Sequence, residues 1–325
     1  MINFYYHPGY VKRSKKIFTI KLRESVLINK FIDIAYFFNL IFPNRFITNG
    51  THKCINNTLK ALKGNAKYNK HVYSNSYIVQ FDWFGEQILK QIIDNNASNK
   101  KVLVGPLYTD KQLKSLSKYT QNYNFIKVVA ASNYSTRKIL SLADTDIKKK
   151  DICVIPTGVI SKNSKNRVTL KTRNKKCLIY YKNRSKEDLG KVIKFLNSKD
   201  ISYDLFEYGK YSNSKLIKAA KNNRFCILLN SAESQGIAVQ EVLSMNLPIY
   251  VWDLPSDKLN HFGSSTPYFD ERCGVVVNSY NEFLENFQIF IKNLDLLKPR
   301  EFILEELTYE KFFTNLQNQF DEINL

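Results

Sequence analysis

No stretch of about 18 residues in this chain is apolar without interruption by charge, as a membrane span would need. The nearest, Val26 to Phe42, is broken by Lys30 and Asp33 and is expected to be a buried or interfacial helix. The first residues, MINFYYHPGYVKRSKK, lack the basic-then-apolar order of a secretory signal, which leads to the expectation of a cytoplasmic chain. There is no Cys-x-x-Cys pair and no His/Cys pair at metal-ligand spacing. The 5 cysteines are odd in number, scattered, and mostly set in apolar runs such as KKCLIYY, so they are expected to be reduced core residues. Neither the G-x-G-x-x-G dinucleotide fingerprint nor the G-x-x-x-x-G-K-[ST] phosphate loop occurs, which argues against a nicotinamide enzyme and a P-loop ATPase. Asp144-Thr145-Asp146 is followed by three lysines and reads as a charged surface turn, with no metal expected.

Acidic residues are also few: 29 Asp and Glu stand against 49 Lys and Arg, a formal net charge of +20. The excess is spread along a chain rich in Lys, Asn and Ile. Lysine dominates over the arginine that base readout prefers, so no nucleic-acid partner is expected. An anionic membrane surface and a phosphate-rich ligand both remain open.

What is present is alternation. At 325 residues the chain is long enough for two cores. Short apolar runs (INFYY, KVLVGPL, FIKVVAAS, DICVIPTGV) alternate with helical patterns such as DKQLKSLSKYTQN over 110–122. A polar, basic stretch over 160–176 interrupts the series and reads as a linker. The alternation then restarts with CLIYY, SYDLFEY, FCILLN, PIYVW and GVVV as strands. Continuous apolar strands between helices argue for parallel sheets covered on both faces. The fold class expected is therefore α/β, with two Rossmann-like doubly wound domains facing a cleft. The expected bounds are 1–160 for the first domain, 161–176 for the linker and 177–308 for the second domain. A C-terminal helix over 309–325 is expected to pack back on the first.

One segment carries chemistry: NSAESQGIAVQEVLSMNLPIYVWD, Asn230 to Asp253. FCILLN reads as a strand, so Glu233 lies just past its carboxyl end, where ligands of such sheets sit. Gly236 opens the next helix and lets a ligand approach the backbone N–H groups of Gly236 and Ile237, which suit a phosphate. Glu241 lies more than a turn inside that helix. A loop carboxylate and a helix carboxylate can reach two ends of one elongated ligand, and carboxylates accept paired hydrogen bonds from sugar hydroxyls. Spacing alone is weak, because a Glu pair eight positions apart arises by chance in a chain of this size.

The segment resembles the Glu-x7-Glu motif of retaining GT-B glycosyltransferases of the glycosyltransferase family four kind. Ser231, Glu233, Gly236, Glu241 and Pro248 match the family pattern, while Val242 replaces its Ala and Asn246 its Gly. Asn tolerates the left-handed backbone, so the helix end survives that change. The resemblance implies that Glu233 contacts the donor sugar and Glu241 the ribose, with Ser234, Gln235, Gly236 and Ile237 lining the donor. It places a diphosphate-binding Arg and Lys after the first strand of the second domain. There KNRSKEDL offers Arg184 and Lys186, without the family's Gly, and the choice of Lys186 over Lys182 or Lys191 stays open. Tyr208 falls where the loop beside the nucleotide base would be. Residues 125–325 carry the likeness; earlier it is architectural only. His7, Pro8, Gly9 and Tyr10 stand where the family has a Gly-Gly loop, and with Gly105 and Pro106 they are the acceptor-side candidates.

The function expected on this resemblance is transfer of a sugar, a hexose by type, from a nucleotide-sugar donor to a glycan or lipid-linked acceptor. Anomeric retention is expected, with no metal and no further cofactor. Two alternatives stand beside it. The basic stretch YVKRSKKIFTIKLR (10–23) before the apolar helix 24–40 supports a peripheral membrane-binding module with degenerate or no activity, on an anionic membrane. A nucleotide-sugar epimerase on the same fold is the third reading.

Overall fold

The computed structural model describes residues 2–5, 50–68, 75–80, 83–94, 99–106, 109–142, 145–164, 176–254 and 264–323. The basic stretch 10–23, the apolar helix expected over 24–40 and His7 to Tyr10 lie outside them. Among the described residues no helix is long and apolar enough to cross a membrane. The chain divides into two compact units, one made of residues 1–131, 139–155 and 313–325, the other of residues 132–138 and 156–312.

The first unit is built on six parallel strands: β1 (Ile2–Tyr5), β2 (Ala66–Tyr68), β3 (Ser76–Val79), β4 (Lys101–Val104), β5 (Ile126–Ala130) and β6 (Ile152–Val154). Their order is β2-β1-β3-β4-β5-β6. Helices α1 (Gly50–Ala61), α2 (Trp83–Asp94), α3 (Asp110–Asn122) and α4 (Asn133–Ser141) connect them. Buried faces of α2 and α3 (Ile88, Leu89, Ile92, Leu113, Leu116) pack on Val79, Val102, Val104 and Val128. Each such side chain, fully withdrawn from water, contributes about 1.5–3 kcal/mol before chain entropy is counted. The α3 N-terminus carries a complete capping box, Thr109 Oγ1 accepting from Gln112 N and Gln112 Oε1 from Thr109 N. Lys100 caps the other end of α2, its Nζ donating to Ile92 O at 2.6 Å and Ile93 O at 3.0 Å. Asp146 accepts from Gln121 Nε2, and its N–H donates to Ser117 Oγ of α3; Asp144 lies outside the described residues.

The second unit holds five parallel strands: β7 (Cys177–Lys182), β8 (Tyr203–Glu207), β9 (Phe225–Asn230), β10 (Ile249–Trp252) and β11 (Gly274–Val277). The order is β11-β10-β9-β7-β8. The chain therefore steps from β7 outward to β8, then returns to the other side of β7 for β9. Helices α5 (Lys186–Ser198), α6 (Asn213–Asn222) and α7 (Ile237–Ser244) make the crossovers from β7 through β8 and β9 to β10, and α8 (Tyr280–Asn293) follows β11. Strand β9, FCILLN, is buried at every position, as expected of a central parallel strand covered on both faces. An aromatic core fills one face: Phe195 meets Phe283 and Phe287 edge to face, and Tyr250 stacks on Phe290 at 4.9 Å. Two further helices follow, α9 (Pro299–Glu306), opened by Pro299, and α10 (Tyr309–Glu322). Residues 313 onward of α10 belong to the first unit.

All five cysteines are buried and unpaired as disulfides. Burial pushes up the thiols of Cys153, Cys177, Cys226 and Cys273, to about 12 for Cys153 and Cys273. A thiol held protonated and out of water is a poor nucleophile. Native protein is expected to leave Ellman's reagent unreacted, with all five thiols titrating only on unfolding.

Candidate functional site in the second unit

The reversal of strand order in the second sheet lies between β7 and β9, and a crevice opens beyond the strand ends at such a reversal. The residues there are set by register. Lys182, the last residue of β7, pairs with Asn230, the last of β9. Both side chains converge on Glu233. Lys182 Nζ lies 2.6 Å from Glu233 Oε1, and Asn230 Nδ2 donates to the same oxygen at 2.9 Å. Asn230 is itself held, its Oδ1 accepting from Ser231 N. On the far side of the ammonium the Tyr208 ring lies 4.5 Å away, a cation–π contact. Tyr208 follows β8 and keeps 40% of its surface exposed.

The backbone of Glu233 hangs from a neighbouring loop, its N–H donating to Ser264 O at 3.0 Å. Ser264 is held in turn by Asp253, which follows β10 and is 4% exposed. The Asp253 carboxylate accepts from Leu254 N, Ser264 Oγ and Ser265 N. Gly236 then caps α7 with φ 81°, in the left-handed region that favours glycine. A Cβ there would find room, 3.7 Å from the nearest Glu233 atom, so the backbone angle is what requires glycine. The first N–H groups of α7 have no intrahelical acceptor, and they carry the positive end of its dipole. At the other end Asn246 adopts φ 57°, the conformation that its place after the helix calls for.

Glu241 sits in the second turn of α7, and its Oε1 accepts from Asn213 Nδ2 at 3.3 Å. Among the described residues, Asn213 Oδ1 is buried without a hydrogen-bond partner. Burial raises the Tyr211 hydroxyl above its ordinary range, and the Glu241 and Glu233 carboxylates raise it further, so this phenol lies in the field of both acids. Tyr211 donates to Tyr180 at 3.1 Å, closing a polar line between the acids and the sheet.

The other residues expected at this site make the following contacts. Arg184 is buried, with its side chain only 1% exposed. Its Nη1 donates to Trp252 O at 2.7 Å and to Asn230 O at 3.3 Å, its Nε pairs with Asp188, and its fork lies over the Trp252 ring. It braces the ends of β9 and β10 against the start of α5. The physical reason is local: two buried strand-end carbonyls converge there, and a guanidinium supplies donors to both at once. Lys186 is the exposed first residue of α5. The cation against Glu233 is Lys182. Gln235 also turns inward at 4% exposure. Its amide exchanges two hydrogen bonds with the Thr157 backbone and a third with Gln240. These bonds hold the loop from within. Ser234 is exposed, and its carbonyl accepts from Ser135 Oγ. Ile237 is buried at the start of α7. In the first unit Gly105 follows β4, donating to Val79 O, with Pro106 half-buried after it.

Arg184→Met is expected to cost about 3 kcal/mol or more, because it strips the donor from two buried carbonyls and leaves Asp188 unpaired. Chemical denaturation measures this. A ligand-contacting arginine would show the reverse, small loss of stability and large loss of ligand affinity.

Lys182 and Asn230 were not singled out as a pair by motif. The signal that could have found them is register: the two strands flanking the reversal of order end in a cation and an amide. Among the described residues, no three His, Cys, Asp or Glu side chains gather as a metal site.

No family model and no curated protein matches the chain. Among solved structures it is similar to a GtfA/B complex, with a TM-score of 0.52 at 10% identity over 78% of this chain; it spans 58% of that one. Looser similarity extends to a sucrose-phosphate synthase from Thermosynechococcus elongatus (TM-score 0.49, 9% identity, 99% and 98% of the two chains). It extends also to the lipopolysaccharide outer core galactosyltransferase WaaB in its apo form (0.47, 12%, 98% and 98%). At such identities the first likeness is one of fold: two parallel-sheet Rossmann-like units, as the strand orders describe.

Proposed function

We propose that the second unit binds a nucleotide-sugar and that the protein is a GT-B glycosyltransferase, transferring the sugar to a glycan or lipid-linked acceptor. The observation that carries this reading is the convergence of Lys182, Asn230 and Glu233 beyond the β7 and β9 ends, beside the Gly236 start of α7. A cation and a helix N-terminus suit a diphosphate, and together they neutralise its charge without a metal ion. Glu233, in the loop, accepts hydroxyls of the sugar. Glu241, with Asn213 beside it, accepts those of the ribose. Tyr208 offers a partly exposed ring for the base.

Retention of anomeric configuration is part of the proposal. The bond from the anomeric carbon to the diphosphate oxygen breaks as the acceptor oxygen attacks from the same face. The acceptor proton passes to the leaving phosphate, and the nucleoside diphosphate departs. Fixed positive charge at Lys182 stabilises the negative charge that develops there. Incubation with a panel of nucleotide-sugars, followed by detection of released nucleoside diphosphate and of the elongated acceptor, tests the reading. Release that depends on acceptor supports transfer. Conversion of the donor to its epimer without acceptor, or no consumption of any donor, contradicts it.

A further inference from the structure

Lys182 and Glu233 occupy each other. Their 2.6 Å contact is largely withdrawn from water, the two side chains being 14% and 13% exposed. The other strand-end cation, Arg184, is committed to Asn230 O, Trp252 O and Asp188. Any diphosphate entering this crevice therefore meets a lysine already neutralised, and a carboxylate that repels it. A sugar arriving alone meets a Glu233 oxygen already taken by both Lys182 and Asn230.

Resting on the nucleotide-sugar reading of the site, we infer that the Lys182–Glu233 pair is a lock opened by the diphosphate of the ligand. A diphosphate bears more charge than a carboxylate, and it also gains the N–H groups of the α7 start, so it takes Lys182 from Glu233. The Tyr208 ring keeps the ammonium in place while its anion changes. Glu233 is thereby freed, with Asn230 still holding it, to accept sugar hydroxyls. The carboxylate is delivered to the sugar only once the phosphates are seated. The resting pair lowers affinity for the nucleotide in order to impose that sequence.

Under such a lock, neutralising the Glu233 carboxylate strengthens binding of the nucleoside diphosphate. Uridine, guanosine, adenosine and cytidine diphosphates are titrated calorimetrically into wild type, Glu233→Gln, Lys182→Met and the double variant. For the tightest of the four, Glu233→Gln is expected to bind about fivefold more tightly than wild type, ~1 kcal/mol. Lys182→Met is expected to bind at least about tenfold more weakly, and in that background the gain from Glu233→Gln shrinks. The matching nucleoside, which lacks phosphates, is expected to bind wild type and Glu233→Gln alike. Equal or weaker diphosphate binding by Glu233→Gln overturns the lock while leaving the nucleotide site intact. If none of the four binds wild type, the nucleotide-sugar reading fails, and the lock with it.

Discussion

Glu233→Gln is expected to lower the turnover of sugar transfer by about a hundredfold or more, the scale seen when one preorganised electrostatic partner is removed. The substitution keeps the side-chain volume, and its carbonyl oxygen still accepts from Asn230 Nδ2, which lies 2.9 Å from Glu233 Oε1. What it loses is charge and one acceptor. A carboxylate takes two donated hydroxyls; an amide offers one oxygen and presents donors where the sugar needs an acceptor. Since the backbone is held independently by Ser264 O, the loop is expected to keep its course and the melting temperature to stay within a few degrees. The fall should therefore appear in turnover of purified, folded protein, with the nucleotide still bound. A Glu233 that served only to satisfy Lys182 would leave transfer unchanged on this substitution.

Gly274→Ala is expected to destabilise the second unit by at least about 3 kcal/mol, among the larger effects a single methyl can have. Two costs coincide there. Gly274 opens β11 at φ 144°, where a side chain is strained. A Cβ would also fall well inside van der Waals contact of the Ile249 carbonyl, and Ile249 is the residue that Gly274 pairs with in the sheet. The neighbour is backbone of a buried strand and cannot swing away as a side chain would. Gly190→Ala is the control. It lies within α5, has no neighbour within 4 Å of a built Cβ, and is expected to stabilise by about 0.5–1 kcal/mol through helix propensity. The same chemical change thus carries opposite signs at two positions of one unit. Differential scanning calorimetry reads both. A shift of less than about 2 °C at Gly274 would contradict the close approach of β10 and β11 there.

Much of this fold is legible in the sequence because its strands are buried on both faces. FCILLN and GVVV form strands at the expected positions, and DKQLKSLSKYTQN the expected helix. Short elements were harder. Ala66–Tyr68 is three residues without an apolar pattern, and it becomes a strand only by pairing with β1. PREFILEE was not anticipated as a helix, since its few buried positions (Pro299, Phe302, Ile303) give little periodicity. The site divides in the same way. Glu233, Gly236 and Glu241 follow from a strand, a turn and a helix in sequence, and the fold places them beyond a strand end as that order implies. The identity of the cation does not follow. Lys182, Arg184 and Lys186 lie within five residues of chain, and three directions were open to them. Which one meets Glu233 depends on the register of β7 with β9 and on the carbonyls of Asn230 and Trp252, distant in sequence, that draw Arg184 inward. Gln235 is a similar case: a polar residue in a ligand loop, recruited by the Thr157 backbone.

The account stands on one claim, that the crevice beyond β7 and β9 holds a nucleoside diphosphate through Lys182. A thermal-shift screen of wild type and Lys182→Met against nucleoside diphosphates tests it most directly. At ligand 100 times its dissociation constant, wild type should gain about 2.7 kcal/mol and melt measurably higher. Lys182→Met, folded and with an unliganded melting point near that of wild type, should gain no more than about 1.4 kcal/mol at the same concentration, as binding at least about tenfold weaker requires. No rise with any nucleoside diphosphate, or an equal rise in both proteins, would contradict the claim.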